Sequence, residues 1–348
     1  MKKFLITIFV IFFGVLSLDF FFGKFFIPND ETLYRVRHKI FHHGLKKNFE
    51  TNKAFWVNGY YNLNTNNYGF KTSKEKSNII ENNIDLLIIG DSMSEGNGYT
   101  YNHTYTGLIE KKFKNKKIAN ASASSYSGSI YLSKIKYLLE NNFQFKHLLV
   151  HLDISDIWDD YYRYDYTNGI AHDKNNNNNS HDYYLYKLTT NLPLTHRIFI
   201  YLRNISQRNK IENNILEMPA GQYLYSDISG FKVLNDRDLA TEKTLHFLNE
   251  INKLLVGKNI KFSILITPWP STLANASEVN YFTTKIENFC LNKCQNFINT
   301  FDVFFKEKEK LGLNSALEKY FLINQNDHHL NGNGHILISD VLIERFKF

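Results

Sequence analysis

The chain reads as an α/β protein with a mostly parallel sheet, and three features predict it. Short apolar runs at Leu86-Leu87-Ile88-Ile89, Leu148 to Leu152 and Phe262 to Ile266 have the length and continuous hydrophobicity of strands buried on both faces. Between them lie stretches of helical period, as at Ile130 to Glu140, where Tyr131, Ile135, Leu138 and Leu139 approximate a 3.6-residue repeat. Breakers stop the runs, Gly90 after the first and Pro268 after the third. Strands that alternate with helices make right-handed crossovers, so the expected architecture is three layers, α/β/α.

The remaining elements follow in order. A helix is expected around Tyr105 to Phe113, a strand at Lys117 to Asn120, and helices at about Leu239 to Val256 and Val279 to Cys294. A last strand near Phe297 to Phe301 and a C-terminal helix from about His335 complete the set. Between about 159 and 238 the sheet pattern lapses and includes the low-complexity run Asn175 to Asn179, which marks an insertion, in part a solvent loop. Residues 28–80, polar and aromatic without a sustained period, read as a lead-in that packs on the core, which spans 81–348.

At 348 residues and 43% hydrophobic content the chain can bury a full core, which excludes disorder throughout. The formal charge of +7 is scattered in short clusters such as Lys111-Lys112, a solvated basic surface and not a nucleic-acid interface. Lys2-Lys3 precede an apolar run from Phe4 to Leu18 that resumes at Phe20-Phe21-Phe22. Residues 1–27 therefore read as a signal anchor or signal peptide, and no small-x-small cleavage site stands before Asp19. The expected place is the cell envelope: anchored in the inner membrane with the main domain on the periplasmic side, or secreted if the signal is cleaved. Cys290 and Cys294 are the only cysteines and share a helical face at i, i+4. Two buried thiols are expected, with a disulfide as the alternative in an oxidising compartment.

The chemistry points to two places. Ile88-Ile89-Gly90-Asp91-Ser92 carries a strand into a sharp turn, which sets Ser92 at the strand's carboxyl end, where α/β sheets bind ligands. The start of the following helix aims N–H groups at a developing oxyanion. Near the other end, Asp327-His328-His329-Leu330-Asn331-Gly332-Asn333-Gly334 precedes a helix. A serine hydroxyl needs a base, and an imidazole backed by a carboxylate serves near neutral pH, which suits His329 and Asp327. His151 and Asp153, on alternate residues of one strand, lack a third metal ligand at a recognisable spacing, and His172, His181 and His328 read as solvated loop histidines. Tyr161, Tyr162, Tyr164 and Tyr166 read as packing residues, with stacking on sugar rings as an alternative. No phosphate loop or metal-ligand cluster stands out, so neither cofactor nor metal is expected.

From Asp85 to the C-terminus, the insertion excepted, these motifs resemble the SGNH/GDSL hydrolase superfamily. Gly90-Asp91-Ser92 is similar to its first block, which implies Ser92 as nucleophile and its own N–H as an oxyanion donor. Asp327 to Gly334 is similar to its last block, which implies His329 as base. The usual spacing there would select Asn326 as the acid, but some exported relatives read Asp-x-His-x-Asn-x-x-Gly, so Asp327 is expected. Asn120-Ala121-Ser122-Ala123-Ser124-Ser125 is similar to the second block, with Ser125 in place of the glycine that donates its N–H. Asp153-Ile154-Ser155-Asp156 is similar to the third, with Ser155 in place of the asparagine donor. Asn66-Asn67-Tyr68-Gly69-Phe70 and Thr267-Pro268-Trp269-Pro270 resemble a membrane-anchored or periplasmic branch that includes polysaccharide O-acetylation proteins.

The resemblance implies an SGNH-hydrolase-like, flavodoxin-like domain behind an N-terminal membrane helix. It implies a serine esterase acting on O-acyl groups of a small ester or an extracytoplasmic carbohydrate. Two alternatives stand beside it: an O-acetyltransferase supplied by a membrane acyltransferase partner, and a glycan-binding pseudoenzyme, which the changes at Ser125 and Ser155 would suit.

Overall fold

A computed structural model describes residues 2–23, 34–77, 82–174, 192–195, 198, 234–275, 279–325 and 327–346. Its centre is β6 (Leu86–Ile89), whose four side chains are wholly buried. Parallel neighbours flank it on both sides, β7 (Ile118–Asn120) and β8 (His147–Leu152). Beyond β8 the sheet continues in parallel through β11 (Lys261–Ile266) and β12 (Asn296–Asn299). The first parallel strand thus sits inside the sheet, and successive connections leave from it in opposite directions. That is a topological switch point, and the crevice it opens lies at the carboxyl end of β6.

Alternation along β8 assigns the two faces. His147 and His151 share one face, where His147 packs on Phe346 and His151 on Tyr105 of α3 (Tyr105–Lys112). Helix α3 in turn packs on α11 (Gly332–Arg345). Leu148, Val150 and Leu152 point the other way, and α4 (Gly128–Glu140) packs on α6 (Leu234–Val256) as a second helical group. The α/β class with a mainly parallel sheet is therefore as expected.

Four expectations are revised. First, the lead-in extends the sheet: β3 (Glu50–Trp56), β4 (Gly59–Thr65) and β5 (Lys71–Thr72) continue it past β7 in antiparallel order, giving eight strands. A separate two-stranded hairpin, β1 (Arg35–His38) with β2 (His42–Leu45), precedes them. Edge strands bury only part of their side chains, as the mixed burial along β3 and β4 shows, so no continuous apolar run marks them. Second, Phe301 opens α9 (Phe301–Leu311) and does not end β12, and α10 (Leu313–Tyr320) follows it. Third, Cys290 and Cys294 are bonded to each other, at the end of α8 (Tyr281–Cys290). Fourth, the described root of the insertion is ordered: after α5 (Ile154–Trp158) and the turn Asp159–Arg163, β9 (Tyr164–Thr167) and β10 (Ile170–Asp173) form a hairpin. Buried Asp160 fastens it by accepting from the N–H groups of Gly128 and Ser129 and the hydroxyls of Ser127 and Thr244. The Asn175 to Asn179 run and His181 lie outside the described residues.

At the N-terminus, Lys2–Leu18 forms α1, and its apolar side chains are exposed, Phe9 by 61% and Val10 by 62%. Among the described residues no helix is long and apolar enough to cross a membrane.

Gly90 is required by a close approach. A Cβ there would meet Ser94 Oγ at 2.3 Å and the His151 carbonyl oxygen at 3.0 Å. Ser94 Oγ cannot easily move aside, because Tyr105 and His151 Nδ1 each hold it at 2.7 Å. Gly90→Ala should cost about 1–3 kcal/mol of unfolding free energy through overpacking. Denaturant unfolding measures it, and a wild-type midpoint would mean that the Gly90 turn has slack.

Candidate active site

The β6 strand delivers Ser92 to the switch point. Asp91 caps the short helix α2 (Ser92–Glu95) by accepting from the Met93 N–H at 2.9 Å, and its other oxygen accepts from Ser92 Oγ at 3.1 Å. Ser92 is therefore held at the helix start, with its hydroxyl turned toward Asp91.

The last block assembles the base. Asp327 Oδ1 accepts from the His329 backbone N–H at 2.7 Å and lies 2.6 Å from His329 Nδ1. The Asp-x-His spacing lets one carboxylate oxygen hold both the loop and the ring. The same pattern explains its downstream residues. Asn331 caps α11, accepting from the N–H groups of Asn333 and Gly334 and donating to the carbonyls of Glu318 and Phe321. A Cβ on Gly334 would sit 2.3 Å from the Tyr320 carbonyl oxygen, so the helix can approach α10 only with glycine there. Asn326, the other candidate for the acid, lies outside the described residues.

These pieces meet. The Gly332 N–H donates to the Tyr99 hydroxyl at 3.0 Å and His335 meets the Tyr99 ring edge-on at 5.2 Å, which seats the last block against the segment that follows Ser92, and the charge of His329 acts to lower the pKa of both Asp91 and Asp153. Trp56 from β3 packs edge-on against His329 with ring centres 5.2 Å apart. Trp269, from the Pro-Trp-Pro segment, stacks on His328 at 4.1 Å, and His328 on His329 at 4.2 Å. His328 is thus a packing residue, not a solvated one, and burial pushes its pKa down to about 3.

On the opposite side, Ser125 adopts φ +60°, the left-handed conformation that a glycine would take without strain. Ser124 beside it is held at three polar atoms. Its N–H donates to Glu95 Oε2 at 2.8 Å, its Oγ accepts from Arg35 and Asn97 at 2.7 Å each, and its carbonyl lies 2.7 Å from His43 Nε2. Glu95 is fully buried and paired with Arg35. Arg35, His43, Glu95, Asn97 and Trp56 were not legible as site residues. Only Glu95 carried a signal, an acid three residues past Ser92 in a stretch otherwise destined for burial.

Ser155 is placed differently from the expectation. Its hydroxyl donates to Asp153 Oδ1 at 2.6 Å and its N–H to the same oxygen at 2.7 Å, so its side chain serves the capping of α5. A serine is too short to pass over this carboxylate as an asparagine would. His151 spends both ring nitrogens on Ser94 and Thr267, which leaves it no lone pair for a metal. Tyr164 is buried and Tyr166 packs on Phe247, so these two are packing residues; Tyr161 and Tyr162 meet edge to face beside Trp158. Asp327, His328 and His329 offer three ligand atoms within 4.8 Å of one another, but Asp327 is already bonded to the His329 ring.

The floor of the site is a group of buried carboxyls. Burial, with repulsion from Asp153, raises Asp91 to about 8, while the Met93 N–H, His329 and Ser92 oppose the rise. Asp153 and Asp156 are raised chiefly by burial as well.

No family model matches the chain, and no curated protein matches it. Solved structures similar to it include the psychrotrophic esterase EstA from Pseudoalteromonas sp., 16% identical, over 75% of this chain and 96% of that one, at a TM-score of 0.39. The acetylxylan esterase Axe2 from Geobacillus stearothermophilus is 10% identical over 77% of this chain and 96% of that one, at 0.40. A member of the lipolytic G-D-S-L family from Veillonella parvula is 10% identical over 75% and 97%, at 0.41. At such scores these likenesses carry no weight, and the site stands on its own geometry.

Two outcomes follow. Ser125→Gly exchanges a left-handed serine, strained by about 1 kcal/mol, for a residue that costs a similar amount of chain entropy. The unfolding free energy should hold or rise by up to about 1 kcal/mol; a clear loss of stability would show that Ser125 does not need the left-handed conformation. Asp91 is the second case. Below the unfolded value of 3.8 both states are protonated, and between there and about 8 the unfolded chain releases a proton that the folded protein retains. Stability therefore falls as pH rises through that window. Asp91→Asn keeps the cap and removes this part of the slope, so its advantage over wild type should grow by more than about 1 kcal/mol between pH 5 and pH 8. Urea unfolding at both values measures it, and parallel curves would refute it.

Proposed function

We propose that the chain is a serine-dependent acyl-ester hydrolase. What supports the reading is that Ser92 opens the turn at the carboxyl end of β6, while His329, whose Nδ1 lies 2.6 Å from Asp327, stands on a loop that donates from the Gly332 N–H to Tyr99 just beyond that turn.

In the proposed reaction Ser92 Oγ leaves Asp91 for the imidazole and attacks the acyl carbon. His329 Nε2 takes the hydroxyl proton and returns it to the departing alcohol oxygen. Asp327 keeps Nδ1 protonated and steadies the imidazolium that forms. The N–H groups of Ser92 and Ser125 face the oxyanion, and a water then releases the acyl group by the same route. Ser155 is left out of this scheme, because its hydroxyl serves Asp153.

We further propose an O-acylated, extracytoplasmic carbohydrate as substrate and the cell envelope as location. The exposed apolar helix α1 behind Lys2-Lys3 needs cover that nothing else among the described residues supplies, and a lipid bilayer is suited to it. The Cys290–Cys294 disulfide is of the kind that persists in oxidising compartments. Transfer of an acetyl group to a sugar hydroxyl would use the same residues with a different acceptor.

The test is turnover of an activated acetyl ester by the full chain in detergent. Ser92→Ala and His329→Ala should each lower kcat by about 10³-fold or more. Equal rates in wild type and both variants would sink the hydrolytic reading.

A further inference from the structure

The oxyanion side of the site is held by a segment that precedes the catalytic core in the chain. We propose that His43 is a positioning residue for this reaction: by donating to the Ser124 carbonyl it fixes the direction of the Ser125 N–H. The inference rests on the hydrolytic reading above.

A peptide unit is planar, so the orientation of its carbonyl dictates that of its N–H. The Ser124 carbonyl and the Ser125 N–H belong to one such unit. His43 Nε2 lies 2.7 Å from the Ser124 oxygen. Ser124 is already anchored through its N–H and its hydroxyl, which are on the other side of its Cα. The peptide that follows could still rotate without the third anchor. His43 is thus the contact that acts on the oxyanion donor itself.

The donating tautomer of the imidazole is set from the Ser124 end, because a carbonyl can only accept. Arg37 Nη1 lies 2.6 Å from His42 Nε2, and a guanidinium can only donate. His42 Nε2 faces both Arg37 and Asp173, and its Nδ1 lies 2.6 Å from His43 Nδ1. His43 accepts there, carries its own proton on Nε2, and donates to a carbonyl that can only accept. Asp173 Oδ1 lies 3.1 Å from the same His42 nitrogen, and Asp173 Oδ2 pairs with Arg37 at 3.1 Å. Burial and the neighbouring His42 hold the His43 pKa well below its usual value, which keeps the ring neutral.

The backbone around this contact is equally constrained. The Tyr126 hydroxyl donates to the His43 carbonyl at 2.6 Å, and the chain is left-handed at both His42, φ +64°, and Ser125, φ +60°. Two non-glycine residues in that region, one at each end of a single contact, mark a geometry that surrounding structure imposes.

The experiment uses the full chain and compares His43→Gln, which keeps a donor at the reach of Nε2, with His43→Met, which has similar length and no donor. His43→Met should lower kcat by about tenfold or more with KM within about twofold, because the contact acts on an oxyanion that exists only in the transition state. Its affinity for a boronic acid, which forms a tetrahedral anion on Ser92, should weaken in parallel. His43→Gln should restore both. His42→Leu, which removes the group that His43 Nδ1 faces, is the second variant and should show the same loss of kcat at unchanged KM should His43→Met fail to fold. Wild-type kcat in His43→Met, a rise in KM alone, or a Gln variant as impaired as Met would overturn the positioning role and leave the hydrolytic reading intact. Undiminished turnover by Ser92→Ala would overturn both.

Discussion

Four residues of strand, Leu86–Ile89, are buried on both faces and paired in parallel on both edges, and the geometry of the site depends on them. A strand so enclosed has no freedom of register, because a shift of one residue would exchange its two faces. Its carboxyl end is therefore a fixed point, and the turn Gly90-Asp91-Ser92 starts from it. Ser94, two residues further, is locked to Tyr105 and His151, so the turn is fixed from beyond as well.

The cost of such enclosure is electrostatic. Asp91, Asp153 and Asp156 sit within reach of each other's charge, and burial drives all three upward. Each is retained because it answers backbone donors at a helix start or a nearby hydroxyl: Asp91 for α2, Asp153 and Asp156 for α5, with Tyr131 on Asp156. Unsatisfied N–H groups at these helix starts would be expensive in so dry a region.

The two halves of the site are built by different means. The Asp327–His329 pair is local, made by a loop whose residues two apart reach one another, and Asn331 and Gly334 seat that loop on α10 and α11. The Ser124–Ser125 peptide has no such local support. It is held by Glu95 from the first block, by Arg35 and His43 from the β1–β2 hairpin, and through His42 it is linked to Asp173 of the insertion hairpin. The lead-in, expected to pack on the core, supplies the scaffold on this side and Trp56 against His329 on the other.

The sequence by itself determined the parallel core, the placement of Ser92 at a strand end and the Asp327–His329 pairing, because each is encoded within a few consecutive residues: an apolar run, a Gly-Asp-Ser turn, an Asp-x-His spacing. It also set Ser125 where the resembled family has a glycine, and the backbone there is left-handed. Only the tertiary structure decided that β3, β4 and β5 join the sheet, since edge strands bury too little to leave a period. It alone showed Ser155 committed to Asp153, because the competition between two acceptors for one hydroxyl depends on distances of a few tenths of an ångström. The clamp on Ser124 was likewise invisible in the chain: its members stand 27 to 89 residues from Ser124, and hydrogen bonds of that range are set by packing and by nothing in the local sequence.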